Sequence, residues 1–580
     1  MTEENKGTKQ PDSRFRSRKS RPNRFSRNTK QQLKVCTLSG TEEVGRNCNF
    51  IEFGKDILII DCGFSFPGQE LLGIDYLIPN IAYLKRNKKR VKAILITHGH
   101  LDHTGGLEYI LPELDYPPIY GGKFANALIA SKLKEAGMLN KVKLHDIDRN
   151  TQMSIGRFKV SFIGVTHSIP NAFSIFVQSP SGNVFFSGDY KIDTDPANEA
   201  ETDYEALKQL RGKVDLALME STNSKSEGKA KSGAEIAHNL EDIIAKHDGR
   251  IVVAAFSSII SRLYSVIKIA EKLNRKVFIS GRSLRNSIAI AQEQHYISVP
   301  RDLIQPEKNM SKFQDNQIMF ICTGSQAERY SALNRVSLGE HAHFKVKQGD
   351  LVILSASEIP GNVTKIGEMT DRLIKRGAEL VQNSFMQVHE SGHGLKEDMR
   401  IMYKLTEPRY VMPIHGSLTM RYYNKKNYVS WGTPEDKVLL TDDGQMWIYE
   451  GRDWKRGKQI ESKPVMIDGL GVGDIGDIVL KDRTQLAEYG MVAVIMNLNN
   501  KTNQIIGNLN FLSRGFVYVK NSQKLFKELD NIVKDTHREW LSSRKANPDR
   551  KELRKLLETR LSKYIYKKTE REPMILPVFV

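Results

Sequence analysis

One short segment limits what this chain can fold into more than any other, because it places four metal-binding side chains within six residues. The sequence Thr97-His98-Gly99-His100-Leu101-Asp102-His103 directly follows the apolar run Ala93-Ile94-Leu95-Ile96. At a strand end, His98 and His100 point to the same side of the chain, and the following turn directs Asp102 and His103 toward a second position. This spacing predicts two adjacent cations that share one cleft at the end of a buried strand.

Two metal ions need more ligands than this segment supplies, and three further residues stand at the ends of predicted strands. His167 ends the run 160–166, Asp189 follows the run 184–188, and His415 follows the run 410–414. Taken singly, each is more often a structural residue, but their common position at strand ends favours a shared site. Imidazole and carboxylate ligands without cysteine favour zinc, with manganese as a harder substitute.

Apolar runs alternate with helical patterns along most of the chain, which is typical of a layered α/β architecture. The alternation begins at Lys34, and a second series starts near Arg250 with the run Ile251-Val252-Val253-Ala254-Ala255. This second series predicts a complete inserted domain. After the glycine-rich turn at 469–473, a smaller α+β segment follows from about Val479 to the C-terminus.

The net charge of +19 restricts the binding partners, because such an excess of Lys and Arg attracts polyanions. Residues 1–33 hold ten Lys or Arg against three acids and little apolar surface, which predicts a solvated tail or a basic arm that raises affinity for a polyanionic partner. No apolar run approaches the ~20 residues that span a bilayer. The four cysteines form no CxxC pair, so we expect a cytoplasmic protein.

Other short motifs occur along the chain in this order: Gly40-Thr41-Glu42-Glu43-Val44-Gly45-Arg46-Asn47, Thr166-His167-Ser168-Ile169-Pro170, Gly188-Asp189-Tyr190-Lys191-Ile192-Asp193, Glu220-Ser221-Thr222-Asn223, Gly281-Arg282-Ser283, Thr323-Gly324-Ser325-Gln326, Ile359-Pro360-Gly361-Asn362, Ser391-Gly392-His393 and Pro413-Ile414-His415-Gly416. Together with the HGHLDH segment, they resemble ribonuclease J, in the beta-CASP branch of the metallo-β-lactamase superfamily. The likeness runs from about residue 34 to the C-terminus.

This resemblance implies a metallo-β-lactamase αββα sandwich with an inserted α/β beta-CASP domain and a small C-terminal α+β domain. The expected division is a basic tail (1–33), a lactamase-like domain in two segments (34–226 and 366–450), the beta-CASP domain (227–365), a linker (451–478) and the C-terminal domain (479–580). RNA is expected to lie in the cleft between the lactamase-like and beta-CASP domains.

The resemblance also implies roles for individual residues. One metal would be held by His98, His100, His167 and Asp189, and the other by Asp102, His103, Asp189 and His415. Two such cations would activate a water and neutralise charge on the phosphate. His393 would protonate the leaving 3′-oxygen or hold the scissile phosphate, Glu220 would orient it, and Asp102 would act in catalysis as well as in metal binding.

The implied activity is metal-dependent hydrolysis of RNA, as a 5′-to-3′ exonuclease with endonuclease activity in RNA maturation and decay. The cofactor would be two divalent ions, zinc first and manganese or magnesium as alternatives. The implied partners are single-stranded RNA with a 5′-monophosphate, a second copy in a homodimer or homotetramer, and an RNA-degrading assembly. Phosphate or nucleotide contacts are expected from Ser391, Gly392, His393, Thr323, Gly324, Ser325, Gln326 and His389.

Three departures from the family pattern concern RNA contacts. The family commonly has Asn-Ile-His-Arg where this chain has Ile259-Ile260-Ser261-Arg262, so a histidine is missing. Glu220 replaces the more usual Asp, and Ala327 stands where Gly follows Ser-Gln. Two other functions are compatible with the same ligands: hydrolysis of a small thioester or lactam, and an RNA-binding subunit with weak catalysis.

Overall fold

The computed structural model describes residues 31–68, 70–358, 362–383, 386–517, 522–543 and 549–580. Its first part contains the helices α1 (Ala82–Arg86), α2 (Leu101–Thr104), α3 (Leu107–Ile110), α4 (Lys123–Glu135) and α5 (Tyr204–Lys208). The strands of this part are β1 (Leu33–Ser39), β2 (Cys48–Phe53), β3 (Asp56–Ile60), β4 (Tyr76–Ile78), β5 (Val91–Leu95), β6 (Ile119–Gly122), β7 (Leu144–Ile147), β8 (Gln152–Ile155), β9 (Phe158–Val165), β10 (Ala172–Gln178), β11 (Asn183–Phe186) and β12 (Leu216–Glu220).

The middle of the chain alternates strands and helices regularly. Its strands are β13 (Ile251–Ala254), β14 (Lys276–Ser280), β15 (Ile304–Gln305), β16 (Ile318–Cys322), β17 (Leu351–Leu354) and β18 (Glu379–Gln382). Its helices are α6 (Gly233–Ala245), α7 (Ile260–Lys272), α8 (Arg282–Glu293), α9 (Ala332–Leu338) and α10 (Val363–Lys375).

The last part contains the helices α11 (Lys396–Thr406), α12 (Leu418–Ser430), α13 (Asp477–Tyr489), α14 (Gln523–Ser542) and α15 (Arg550–Thr569). Its strands are β19 (Val411–Ile414), β20 (Gln445–Glu450), β21 (Asp453–Gln459), β22 (Val465–Asp468), β23 (Gly471–Val472), β24 (Met491–Met496), β25 (Asn510–Arg514) and β26 (Met574–Phe579).

Two sheets pack face to face and carry helices on their outer faces, which confirms the predicted αββα sandwich. One sheet has the order β21-β20-β1-β2-β3-β5-β6-β7 and the other β19-β12-β11-β10-β9-β8. Side chains from both inner faces, including Val35, Leu58, Phe162 and Ile175, form a single buried core. The outer faces bury separate apolar clusters against the helices. Because both faces are covered, central strands such as β3 are apolar along most of their length.

The inserted series forms its own parallel sheet with the order β15-β14-β16-β13-β17-β18. Helices α6, α7 and α8 bury apolar side chains on one face, and α9 and α10 do so on the other. This doubly wound arrangement agrees with the inserted α/β domain expected from the sequence. Ile359-Pro360-Gly361 lie outside the described residues, as does the greater part of the basic tail (1–30).

The C-terminal segment forms a three-stranded sheet, β25-β24-β26, against α14 and α15. The apolar stripes at Leu529 and Val533, and at Leu553, Leu557 and Leu561, are buried in this core, as their helical spacing predicts. Among the described residues, we find no helix with the length and apolarity needed to cross a bilayer.

The strand β21 lies within residues 451–478, which the sequence predicts as a linker, yet it extends the large sheet at its edge. Trp454 is buried, whereas its neighbours Lys455, Arg456 and Lys458 are exposed. An edge strand with so many cations has a polar sequence and resembles a linker in composition. The residue limits of the domains therefore stay predictions.

Candidate active site

The seven predicted metal ligands come together where strands of the two packed sheets end. Strand β5 leads into the turn 97–103, β9 ends before His167, β11 ends before Asp189, and β19 ends before His415. Within each of three groups of residues, the candidate ligand atoms lie within 4.8 Å of one another. One group is Asp189, Glu220, His393 and His415, and the other two are His98, His100, His167 and Asp102, His103, Asp189, His415. Asp189 lies between these two groups, with its Oδ2 3.7 Å from His98 Nε2 and 3.2 Å from His103 Nε2.

Three imidazole nitrogens of the first group converge on one point. His100 Nδ1 lies 3.0 Å from His98 Nε2 and 3.1 Å from His167 Nε2. Burial lowers the pKa of His98 and His167 well below the ordinary value and that of His100 to about 4. Neutral rings present lone pairs, so three converging nitrogens repel one another unless a cation lies between them. This arrangement fits a metal ion.

The second group combines two carboxylates with two imidazoles. Asp102 Oδ2 lies 3.4 Å from His103 Nε2 and 3.5 Å from His415 Nε2, and His415 Nδ1 lies 3.5 Å from Asp189 Oδ1. Burial opposes ionisation of Asp189, but His415 and His103 hold the pKa of this carboxyl well below its usual range. The buried His415 Nε2 makes no hydrogen bond within the described part of the chain. A second cation would give that nitrogen a partner.

Hydrogen bonds behind the rings fix which nitrogen of each histidine faces the site. His167 Nδ1–H donates to the Gly392 carbonyl at 2.6 Å, and His103 Nδ1–H donates to Asp61 at 2.7 Å. Thr97 Oγ1 donates to Asp61 at 2.8 Å and can therefore accept from His98 Nδ1 at 3.1 Å. These bonds leave the Nε2 lone pairs of all three rings available to a metal.

Asp61, which hydrogen-bonds Thr97 and His103, is a residue of this cluster that the sequence did not lead us to predict. Asp61 directly follows the buried strand β3. Asp189 was predicted as a ligand because it follows a strand, so the same sequence pattern also points to Asp61. The backbone of Asp61 has φ 62°, and that of His415 has φ 54°. Left-handed backbone at non-glycine residues costs about 1–3 kcal/mol each and clusters at functional sites.

We predict that Asp61→Ala lowers the affinity for manganese by about 10–100-fold, because the orientation of both His98 and His103 depends on this carboxylate. Competition with a chelating dye measures the affinity directly. Asp56→Ala is a matched control at the other end of β3, where the carboxylate accepts a hydrogen bond from Arg157 N. Equal loss of affinity in both variants would show that the effect comes from damage to the strand.

A histidine and a glutamate stand beside the metal ligands. His393 Nδ1–H donates to Glu220 Oε2 at 2.7 Å, and Glu220 Oε1 accepts from Tyr190 N at 2.9 Å. Burial disfavours the charged ring of His393, but Glu220 and Asp189 outweigh it and raise the pKa of His393 to about 9. The longer side chain of Glu220, at a position where the family usually has Asp, thus reaches both partners.

A cleft of about 1400 Å³ separates the lactamase-like sheets from the inserted domain. One wall includes His100, Asp102 and Lys132, and the other includes Arg329 and Lys365. His393 also lines this cleft. Both walls therefore offer cations near the cluster of ligands, which suits a polyanionic chain.

The residues predicted to contact phosphate do not all lie at the same place in the structure. Gln326 lines the cleft, whereas Thr323 faces a separate cavity and Ser325 is buried. Ser391 Oγ accepts from Asn223 Nδ2 and from His393 N, both at 3.1 Å. A Cβ at Gly392 would lie 2.6 Å from Ser168 Oγ and 2.7 Å from His167 Cε1, so this position requires glycine.

His389 is buried, and its position favours a structural role over nucleotide contact. Burial, followed by the positive charges of Arg262 and Lys191, lowers the pKa of His389 to about 3. The buried Arg262 donates to Ser355 Oγ at 3.0 Å and to the Val388 carbonyl at 2.7 Å. Arg262 thereby ties the inserted domain to the segment that leads into His393.

Ala327 adopts φ 56°, the left-handed region that favours glycine. This backbone conformation explains why the family usually has Gly at this position. The protein accepts the Cβ here at a cost of about 1 kcal/mol.

Two packed sheets with a cluster of His and Asp at their strand ends, beside a cleft, define a metallo-β-lactamase-fold metal-dependent hydrolase. Residues 41–214 match the metallo-beta-lactamase superfamily, residues 248–373 match the family described as ribonuclease J, beta-CASP domain, and residues 478–580 match the ribonuclease J C-terminal domain.

Two similar proteins align with this chain over nearly the whole length of both sequences. Ribonuclease J 1 of Streptococcus pyogenes is 32% identical over 548 residues, 94% of this chain and 97% of that protein. Ribonuclease J 2 of Staphylococcus epidermidis is 31% identical over 549 residues, 94% of this chain and 98% of that protein. A crystal structure of a protein of unknown function from Enterococcus faecalis has a TM-score of 0.52 at 16% identity, covering 72% of this chain and 100% of that chain, which is a likeness of fold.

The chain therefore belongs to the ribonuclease J family. It is a metallo-β-lactamase-fold ribonuclease that uses divalent metal ions and acts on RNA. Family membership decides against the small thioester or lactam hydrolase. The presence of all seven candidate ligands in one cluster favours an active nuclease over a weakly catalytic RNA-binding subunit.

Proposed function

We propose that the protein is a two-metal 5′-to-3′ exoribonuclease that also cuts internally and that acts in RNA maturation and decay in the cytoplasm. The observation that carries this proposal is the position of the His393–Glu220 pair. His393 Nδ1 lies 3.9 Å from Asp189 Oδ2 and its ring lines the cleft, so a phosphate at the metal ligands is within reach of His393.

One ion would be held by His98, His100, His167 and Asp189, and the other by Asp102, His103, Asp189 and His415. When bound, a pair of divalent ions lowers the pKa of a water and neutralises charge on the phosphate during in-line displacement. The ligand chemistry, five imidazoles with two carboxylates and no thiolate, favours zinc, with manganese or magnesium as alternatives.

The protein's own contribution to the reaction is to orient the phosphate and to deliver a proton. A water adds to phosphorus and loses a proton to solvent, the bond from phosphorus to the 3′-oxygen breaks, and the 3′-oxygen takes a proton from His393 Nε2, which then regains a proton from solvent. Glu220 holds the opposite ring nitrogen and so aims Nε2 toward the cleft. The downstream product carries a 5′-monophosphate.

Recognition of a 5′-monophosphate is assigned to the loop of Ser391 and Gly392 together with Gln326. Gln326 lines the cleft, and its Nε2 donates to the Ser357 carbonyl at 2.9 Å, which holds the 323–326 turn in place. Backbone N–H groups and hydroxyls in such turns suit a terminal phosphate.

The test is digestion of one RNA sequence with either a 5′-monophosphate or a 5′-triphosphate, with metal content measured on the same sample. We expect stepwise release of nucleotides from the monophosphate form and mainly internal cuts in the triphosphate form. A circular RNA of the same sequence measures internal cutting alone. Equal stepwise release from both linear forms would contradict recognition of the monophosphate.

The basic tail is proposed to raise RNA affinity by neutralising phosphates. We predict that deletion of residues 1–33 weakens binding and lowers the slope of log K against log salt by about 2 or more, since each lost phosphate contact removes about 0.7. Filter binding over a salt series measures both, and the single-turnover cleavage rate should not change. Unchanged affinity at low salt would refute a role for the tail.

A homodimer or homotetramer through the C-terminal segment stays a proposal, as does membership of an RNA-degrading assembly. The helix α13 supports self-association, because it contains no buried residue and exposes Ile478 and Leu486. Sedimentation of the full chain tests the oligomeric state.

A further inference from the structure

A second cavity, of about 530 Å³, opens in the inserted domain and shares no lining residue with the large cleft. It lies where strands β14 and β16 end, and is lined by Ser280, Gly281 and Thr323. The helix after β14, α8, packs on one face of the sheet, and the helix after β16, α9, packs on the other. In open parallel sheets, such a switch point forms the crevice that binds ligands.

Positive charge dominates the cavity wall. Arg282, Arg285 and Arg335 line it against a single acid, Glu307. Glu307 is neutralised by Arg285, whose Nη1 lies 2.9 Å from its Oε1. Arg282 and Arg335 are exposed, and neither forms an ion pair with any residue that the structure describes. Two guanidinium groups that face one cavity without a counterion fit a dianionic ligand.

The backbone around the cavity adds further hydrogen-bond donors. Helix α8 begins at Arg282, has 12 residues and receives no side-chain cap from Gly281. Its first N–H groups are therefore available to an anion. Gly281 has φ 123°, and a Cβ there would lie 2.8 Å from the Thr323 side chain, so glycine keeps the mouth of the cavity open.

One buried histidine has a fixed tautomer that rules out a catalytic interpretation. His341 Nδ1 accepts from His343 N at 3.3 Å and from Phe344 N at 3.1 Å. Its other nitrogen, Nε2, therefore carries the proton and donates to Ser280 Oγ at 3.0 Å. A ring in this state cannot take a proton from the serine, so the Ser280–His341 pair supports binding rather than nucleophilic chemistry.

We propose that this cavity binds the phosphate group of a nucleotide, with Arg282 and Arg335 on the phosphate and the ring of Tyr330 at the rim beside the base. Tyr330 lines the cavity and is 80% exposed. The volume lies within the range of small-molecule sites. The phosphate can come from a free nucleotide or from an RNA chain.

The experiment uses the full-length protein with manganese and radiolabelled uridine 5′-monophosphate in equilibrium dialysis. Because the large cleft can also take a phosphate, the starting protein is the Ser391→Ala, His393→Ala variant. We expect it to retain one binding site for the nucleotide. Adding Arg282→Gln or Arg335→Gln should weaken that site about tenfold each, as for loss of one charged hydrogen bond.

Arg301→Gln is the matched control. Arg301 is exposed and precedes β15, which pairs with β14 in parallel, so it lies toward the N-terminal ends of the strands, opposite to the cavity at their C-terminal ends, and its loss should leave the nucleotide affinity unchanged. Unchanged affinity in the Arg282 and Arg335 variants, or no binding in the starting protein, would overturn the proposal.

A competition arm identifies the source of the phosphate. Single-stranded RNA with a 5′-hydroxyl displaces the nucleotide if the cavity takes phosphates of an RNA chain. Failure of that RNA to compete, together with displacement by unlabelled nucleotide, identifies free nucleotides as the ligand. Either result supports the site, and neither depends on the mode of RNA cleavage proposed above.

Discussion

Alanine at both Asp102 and His103 is expected to lower the rate of RNA hydrolysis by about 10⁴-fold or more, because the second metal loses two of its four ligands. RNA affinity should change by less than about tenfold, since contacts between basic side chains and phosphates supply most of the binding free energy. Single-turnover cleavage and filter binding on the same preparation measure the two effects.

The matched control for this variant is His238→Ala with Asp242→Ala. These residues form an exposed pair on α6, with His238 Nε2 3.7 Å from Asp242 Oδ2. Removing them changes the same residue types far from the ligand cluster, so cleavage should stay normal. Equal loss of cleavage and of RNA affinity in the Asp102, His103 variant would contradict a catalytic role and indicate a structural one.

His393→Ala is expected to reduce kcat by about 10²–10⁴-fold, the usual contribution of a positioned general acid. Metal content should not change, because His393 is not among the seven proposed ligands. An RNA in which sulfur replaces the 3′-bridging oxygen at the cut provides the decisive comparison. Its thiolate leaves without a proton, so the variant should cut this substrate nearly as fast as the parent protein does.

An equally large defect on the sulfur-containing RNA would show that His393 holds the phosphate and does not protonate the leaving group. Glu220→Gln adds a test of positioning. The amide can still contact His393 but carries no charge, so we expect a smaller loss of kcat than for His393→Ala. A loss as large as that of His393→Ala would make the charge of Glu220 the dominant factor.

The sequence predicts the ligand cluster well because a strand end fixes direction. His98 and His100 follow a buried strand with a period of two, and His167, Asp189 and His415 each follow an apolar run. Parallel neighbours in a sheet bring such ends to the same edge, so distant parts of the sequence meet there. The same rule applied to Ile57–Ile60 would have identified Asp61.

Other features depend on tertiary contacts that no local pattern contains. The turn 323–326 lies between two cavities, because Gln326 lines the large cleft and Thr323 lines the smaller cavity. His389 lies close to His393 in sequence, but burial beside Arg262 removes it from the cleft. The sequence of strand β21 predicts a linker, because exposed cations surround the buried Trp454 and make the segment polar in composition.

Anomalous diffraction from crystals grown with manganese tests most directly whether the seven side chains form one two-metal centre. We predict two peaks about 3.5–4 Å apart, as in two-metal hydrolases. One peak should be bounded by His98, His100 and His167, the other by Asp102, His103 and His415, with Asp189 contacting both. A single peak, or peaks bounded by other residues, would contradict the account.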